Sequence, residues 1–213
     1  MGLVNSLLLR LRGLASPAGV VDVLAGRHAV TTELALAIAL VSMFGLGLGG
    51  WLWWWMTGMS ALNPEISAWT VFVRSALFGT AVSFGLWLGW LLVAFAVMQR
   101  VTGAAVPMER LLREAGLATV PLALGVLMVI PYLSFGIGVA VIGAWAASMQ
   151  GALERATGQR GASIVLANLL GLTLWAGVLS LLGSGGNVYA PGPFLAHSVW
   201  EFVATRLASQ AVR

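Results

Sequence analysis

The residues that could carry acid/base, metal or cofactor chemistry are few in this sequence. There are two histidines, His28 and His197, and no cysteine. Haem or chlorophyll inside a bilayer is most simply held by a histidine on a spanning helix, and both histidines lie outside the apolar stretches. No zinc motif, phosphate loop or nucleophile motif occurs. The sequence therefore predicts no catalytic residue, no metal site and no cofactor.

Two carboxylates in one charged stretch, Glu109 and Glu114, could suggest acid/base work. Each has an arginine four positions away, because Glu109 precedes Arg113 and Arg110 precedes Glu114, and this spacing predicts a self-paired helix. The glycine-rich run GLGLGG at 45–50 lies inside an apolar segment with no strand before it, which excludes a dinucleotide fingerprint.

Two residues within the apolar stretches are candidates for a polar contact in the membrane: Arg74, the one charge close to a span's interior, and Asn168. An ionisable residue in a membrane suggests function, and Arg74 lies about one turn into its stretch. It predicts either structural anchoring, by reaching the headgroups or Glu65, or a contact with a partner or lipid. Asn168 predicts a hydrogen bond between helices, typically about 0.6–2 kcal/mol.

The elements that position these residues follow from composition. The chain has 213 residues, of which 60% are hydrophobic and 8% charged, and its mean hydropathy is +0.95. A soluble domain of this size could not bury so much apolar surface. The sequence therefore predicts an all-α integral membrane protein.

A helix crosses the hydrocarbon core with about 20 residues. Five stretches are long enough, at 34–58, 70–98, 117–133, 135–153 and 161–183. The first two read as unbroken helices. Pro121 and Pro131 limit the third, so the third and fourth stretches form either a full pair of spans or one short hairpin.

Arginine placement predicts the orientation. All 11 basic residues are arginine, and most lie before the first span or in the loops on that same side, namely Arg10, Arg12, Arg27, Arg100, Arg110, Arg113, Arg155 and Arg160. The positive-inside rule then places the N-terminus in the cytoplasm and the C-terminus outside, in a bacterial inner membrane. The absence of a basic run argues against a nucleic-acid partner.

Both flanks of the predicted spanning domain, 31–183, suggest helices lying in the membrane interface. Residues 1–30 predict two such helices, the first with Arg10 and Arg12 near the edges of an apolar arc. Residues 184–213 predict an external loop and an amphipathic C-terminal helix. The N-terminal helices either seat the bundle or form a docking platform for a partner.

Four of the ten tryptophans lie within five residues, in the sequence Trp51-Leu-Trp-Trp-Trp55. At about 100° per residue, Trp51, Trp54 and Trp55 share one helix face and Trp53 points nearly opposite. A ring of tryptophans at the end of a span is typical of an interfacial aromatic belt. We therefore interpret them as an anchor whose main face meets lipid or a neighbouring subunit.

Small residues recur four positions apart within the spans. Such spacing lets helix backbones approach closely in lipid, within one chain or between chains. The series are Gly45 and Gly49; Ala81, Gly85 and Gly89; Gly136, Ala140, Ala144 and Ser148; and Ala167 and Gly171. They predict a compact five-helix bundle and candidate contacts with other chains.

Three segments, at 12–24, 101–121 and 143–158, read RGLASPAGVVDVL, VTGAAVPMERLLREAGLATVP and GAWAASMQGALERATG. They resemble the Yip family of Ypt/Rab-interacting membrane proteins, in particular its bacterial branch, and the resemblance covers most of the first 180 residues. Thr102-Gly103 stands where the family commonly has a Gly-Gly pair. The resemblance implies five spans, a cytoplasmic N-terminus and no catalytic residue.

Together these features predict a non-enzymatic membrane scaffold or accessory protein. Its partners would be the bilayer and other membrane protein subunits, for example in a respiratory, photosynthetic or transport complex. The alternative is a small transporter or lipid-handling protein that uses Arg74 and breaks near Gly125 and Pro131. The near absence of charge inside the spans argues against ion-coupled transport.

Overall fold

A computed structural model of the protein describes residues 30–57, 66–102, 107–130, 132–184 and 188–195. Within these residues, five helices are long and apolar enough to cross a membrane. The chain is therefore an all-α, multi-pass membrane protein, as its composition predicts. The predicted interfacial helices near the two termini, including Arg10 and Arg12, lie outside the described residues.

The five spanning helices follow the predicted order. They are α1, Thr32–Met56; α2, formed by Ala68–Val71, Phe72–Phe78 and Gly79–Thr102 in succession; α3, formed by Met108–Leu117 and Val120–Val129; α4, Ser134–Thr157; and α5, Ala162–Leu182. Local signals fix several ends. At the start of α1, the Thr31 hydroxyl accepts a hydrogen bond from the backbone N–H of Leu34. At the end of α4, Gly158 has φ +70°, the left-handed conformation that favours glycine.

The second span contains seven π-helical residues, Phe72–Phe78, and so departs from the predicted regular helix. A π-helical stretch widens the hydrogen-bonding pattern from i+4 to i+5 and is often found at functional sites. This π-helical stretch carries Arg74 and the buried Ser75. It therefore sets the positions of these two side chains at the start of α2.

The third span differs most from the prediction. It begins at Met108 rather than at 117, and it runs through a turn into ten residues of 3₁₀ helix, Val120–Val129. A 3₁₀ helix rises about 2.0 Å per residue, against about 1.5 Å in an α-helix, so these ten residues alone cover about 20 Å. The third and fourth spans are therefore a full pair rather than a short hairpin, joined by a turn in which Tyr132 has φ 67°.

The helices pack in a closed order. Helix α3 lies between α1 and α4, α5 lies between α4 and α2, and α2 returns to α1. The end of the bundle that holds Met56, Ala68 and Leu182 is called the tryptophan end below. The opposite end, which holds Thr102 and Thr157, is called the arginine end.

The core between these helices is unusually rich in tryptophan. Trp90 of α2, Trp145 of α4 and Trp175 of α5 are fully buried and meet edge to face, with ring centroids 5.2 and 4.8 Å apart. The Trp175 indole N–H also donates to the Ser83 hydroxyl at 3.0 Å. On α5, Gly171 makes room for the Trp90 indole, which a Cβ at that position would overlap.

Candidate functional site

The tryptophans at the end of α1 have different environments. Trp54 exposes 1% of its surface and packs on Val71, Val188 and Leu195, so it is a core residue rather than a membrane anchor. Trp55 is 53% exposed and stacks on Trp51 at a centroid distance of 6.0 Å. The four residues therefore do not act as one ring of anchors.

The exposed tryptophans continue onto α2. The Trp51 indole N–H donates to the Ala68 carbonyl at 2.9 Å, and its ring meets Phe72 edge to face at 5.1 Å. Trp69 stacks on Phe72 and is 69% exposed. Aromatic residues of two helices thus form one patch at the tryptophan end, and the patch is typical of an interfacial belt.

The segment Val188–Leu195, called the capping segment below, packs into the tryptophan end of the bundle. A Cβ at Gly50 would lie 2.8 Å from the Gly192 nitrogen, and one at Gly79 would lie 2.7 Å from the Tyr189 carbonyl oxygen. Only glycine allows so close an approach of backbone to helix. The capping segment is therefore part of the bundle rather than a turn lying outside it.

One buried hydrogen bond holds the capping segment to the π-helical stretch. The Ser75 hydroxyl donates to the Ala190 carbonyl at 2.8 Å, and both residues are fully buried. Non-helical backbone at membrane depth is tolerated where its polar groups are satisfied inside the protein. Ser75 provides one such partner, and sequence reasoning missed it because the two residues are 115 positions apart.

Arg74 lies beside this hydrogen bond. Its side chain is exposed, and its guanidinium carbon lies 5.2 Å from the centre of the Tyr189 ring, within the range of a cation–π contact. This supports the structural alternative for Arg74, with Tyr189 as its partner. The other partner that the sequence suggested, Glu65, lies outside the described residues.

The small residues divide into packed and open positions. A Cβ at Gly49 would overlap the Gly125 carbonyl of α3, and one at Gly45 would lie 3.0 Å from the Ala123 Cα. By contrast, a Cβ at Gly85 or Gly89 of α2 would have no atom within 4 Å. The α1 series therefore packs within the chain, whereas Gly85 and Gly89 make no close helix contact among the described residues.

Helix α4 also has open small residues. A Cβ at Gly136 or Gly143 would have no atom within 4 Å, and Ala140 between them is exposed. Farther along the predicted series, Ser148 is buried and its hydroxyl donates to the Ala144 carbonyl at 2.9 Å. The series therefore turns from the surface of the bundle into its interior.

Asn168 behaves as predicted. Its side-chain amide donates across helices to the Ala146 carbonyl of α4 at 3.1 Å, and the residue is 6% exposed. The contact links α5 to α4 near the middle of the bundle, so this residue has a structural role.

The charged groups at the arginine end pair between segments rather than along one helix. Arg155 of α4 meets Glu114 of α3 at 3.0 Å, and Arg160 meets Glu154 at 3.5 Å. These are the ion pairs among the described residues. The predicted helix is present at Met108–Leu117, but the predicted pairing along it is wrong. Glu114 pairs with α4 instead, and Arg110 donates to the Arg155 carbonyl at 2.7 Å.

Within the described ranges, no group of three His, Asp or Glu side chains could hold a metal ion together. His28 and His197 are not among these residues. No family model matches the chain, and neither a curated protein nor a solved structure does. Membership of the Yip family therefore stays a prediction from the resembling segments.

Proposed function

We propose that the chain is a non-enzymatic scaffold or accessory protein that contacts helices of other membrane proteins. The observation that carries this proposal is the open face of α2 at Gly85 and Gly89. Glycines four residues apart allow another helix to approach with its backbone. The helices of this chain leave that face unused among the described residues, although the same spacing on α1 is filled by α3.

A second surface supports the same function. Gly136, Ala140 and Gly143 give α4 an open face of small residues. This face is on a different helix from the open face of α2, and α5 lies between the two helices. A protein with two such faces could join neighbouring subunits, for example in a respiratory, photosynthetic or transport complex.

The same proposal includes an orientation in a bacterial inner membrane. Arg100, Arg110, Arg113, Arg155 and Arg160 all lie at the arginine end. By the positive-inside rule this end faces the cytoplasm, which places the N-terminus on the same side. The resemblance to the Yip family implies the same orientation.

The proposal is tested by filling the open glycine face. Gly85→Leu should reduce recovery of the chain in a larger complex after gentle extraction, because the new side chain blocks close helix approach. Gly177→Leu on α5 is the matched control, since a Cβ there also has no atom within 4 Å but no glycine or alanine lies four positions before or after it. The measurement is a native gel followed by mass spectrometry of the band.

Two results would contradict the proposal. One is a wild-type chain that migrates only as a free 22.3 kDa monomer. The other is equal recovery of the complex with Gly85→Leu and with Gly177→Leu, which would mean that the α2 face makes no contact.

A further inference from the structure

A cavity of about 220 Å³ lies at the tryptophan end, between α4, α5 and the capping segment. Its walls are almost entirely apolar. They are formed by Phe135, Val139, Ile142, Ser180, Pro193 and Phe194.

The capping segment forms one wall of this cavity. A Cβ at Gly138 would lie 2.9 Å from the Pro193 Cβ, so this glycine lets Pro193 sit closely on α4. The Phe194 ring meets Trp175 edge to face at 5.7 Å, which fixes it against the tryptophan core. The cavity is therefore built by ordered contacts on α4 and α5.

The cavity opens toward the bilayer. Phe135 and Val139, on its α4 side, are 54% and 51% exposed, and both belong to a helix that crosses the membrane. Val139 lies about 7.5 Å along the axis from the start of α4, and Ile142 about 12 Å, at about 1.5 Å per residue. Both positions lie in the first half of this 24-residue helix, and so within one leaflet of a hydrocarbon core about 30 Å thick.

The chemistry of the lining restricts what can enter. The Ser180 hydroxyl is the single side-chain polar group of the lining, whereas a buried water needs two to four polar partners. The cavity is too apolar for water, and it suits a single hydrocarbon chain.

We propose that this cavity binds the upper part of an acyl chain from a bilayer phospholipid. Its lining is continuous with the lipid-facing surface of α4, so a chain enters sideways without leaving the membrane. Contact with Phe194 places the lipid against the capping segment, and through it against Trp175. This proposal does not depend on the partner-binding function proposed above.

The test uses the full chain in phosphatidylcholine nanodiscs that contain a phosphatidylcholine with a diazirine on the upper part of one acyl chain. After illumination, peptide mass spectrometry maps the cross-links. We expect several-fold more labelling at Phe135, Val139 and Phe194 than at Leu174 of α5, which is 49% exposed. Equal labelling at all four positions would overturn the proposal.

Filling the cavity provides the second arm. Val139→Trp from α4 and Ser180→Trp from α5 should each reduce labelling at Phe194 to the level at Leu174. Leu174→Trp is the matched control and should leave labelling at Phe194 unchanged. Persistence of the labelling in both filling variants would overturn the proposal.

Two further results would assign the cavity to another occupant. If Phe194 is labelled only after removal of residues 196–213, the chain's own tail fills the cavity. If labelling in native membranes rises only after a partner protein has been stripped away, a partner side chain fills it. Either result would overturn the proposal of a bound lipid chain.

Discussion

Gly49→Ala should destabilise the bundle, whereas the same change at Gly85 should not. A Cβ at Gly49 would overlap the Gly125 carbonyl and would lie 2.9 Å from the Val126 Cα. Both obstacles are backbone atoms, so a side-chain rotation cannot relieve them. The helices α1 and α3 must therefore separate or shift at this contact.

The magnitude follows from two opposing effects. Overpacking of a well-packed core costs typically about 1–3 kcal/mol. The obstacles here are backbone atoms of α3, which favours the upper end of that range. Ala is a better helix former than Gly by about 1 kcal/mol, which partly offsets the cost. We expect Gly49→Ala to lower the free energy of unfolding by about 2 kcal/mol.

In Gly85→Ala only the higher helix propensity of alanine acts, because a Cβ there has no atom within 4 Å. It should raise the free energy of unfolding by up to about 1 kcal/mol. The two variants should thus differ by up to about 3 kcal/mol, which is roughly 140-fold in the unfolding equilibrium constant.

The assay is reversible unfolding in mixed detergent micelles with an increasing mole fraction of SDS. Far-UV circular dichroism reports helix content, and tryptophan fluorescence reports the tertiary core. If Gly49→Ala and Gly85→Ala unfold at the same SDS fraction, the close contact between α1 and α3 is not present in solution, and the division of glycines into packed and open positions fails with it.

Two further predictions concern single contacts. Ser75→Ala removes the hydroxyl that donates to the buried Ala190 carbonyl, so it should cost about 1–3 kcal/mol and should speed hydrogen exchange in the capping segment; unchanged exchange there would contradict the assigned role. Arg155→Ala leaves Glu114 without its partner, and the Glu114 side chain is only 17% exposed. This change should lower the free energy of unfolding by roughly 1–2 kcal/mol, a value between those of typical surface pairs and buried pairs. Arg160→Ala, at a side chain 89% exposed, should stay within about 1 kcal/mol, and equal SDS midpoints for these two variants would count against the pairing of α3 with α4.

Local sequence determined the number and approximate bounds of the spans. Crossing a membrane needs about 20 apolar residues in one helix. Whether a stretch is long and apolar enough can therefore be read from that stretch alone, without knowing what packs against it. Local signals also contributed, since the Thr31 cap acts within one turn of α1. The polar contact of Asn168 was predictable for a related reason, because a buried amide in lipid must find a partner in another helix.

The third span shows where local reasoning failed. Pro121 correctly marked a disturbance, but the 3₁₀ geometry of Val120–Val129 lengthened the segment beyond what α-helical spacing implies. The charged lead-in was assigned a pairing along one helix. Glu114 instead pairs with Arg155, 41 residues away, because α3 and α4 run side by side.

The sequence by itself determined that this is a five-span helical membrane protein with small residues spaced for close helix contact. Only the tertiary structure decided which of these residues are used within the chain. Gly49 is covered by α3 and Gly85 is open, and Trp54 is buried while Trp55 is exposed. The physical reason is that helix periodicity places a residue on a face, whereas its burial depends on which distant segment packs against that face.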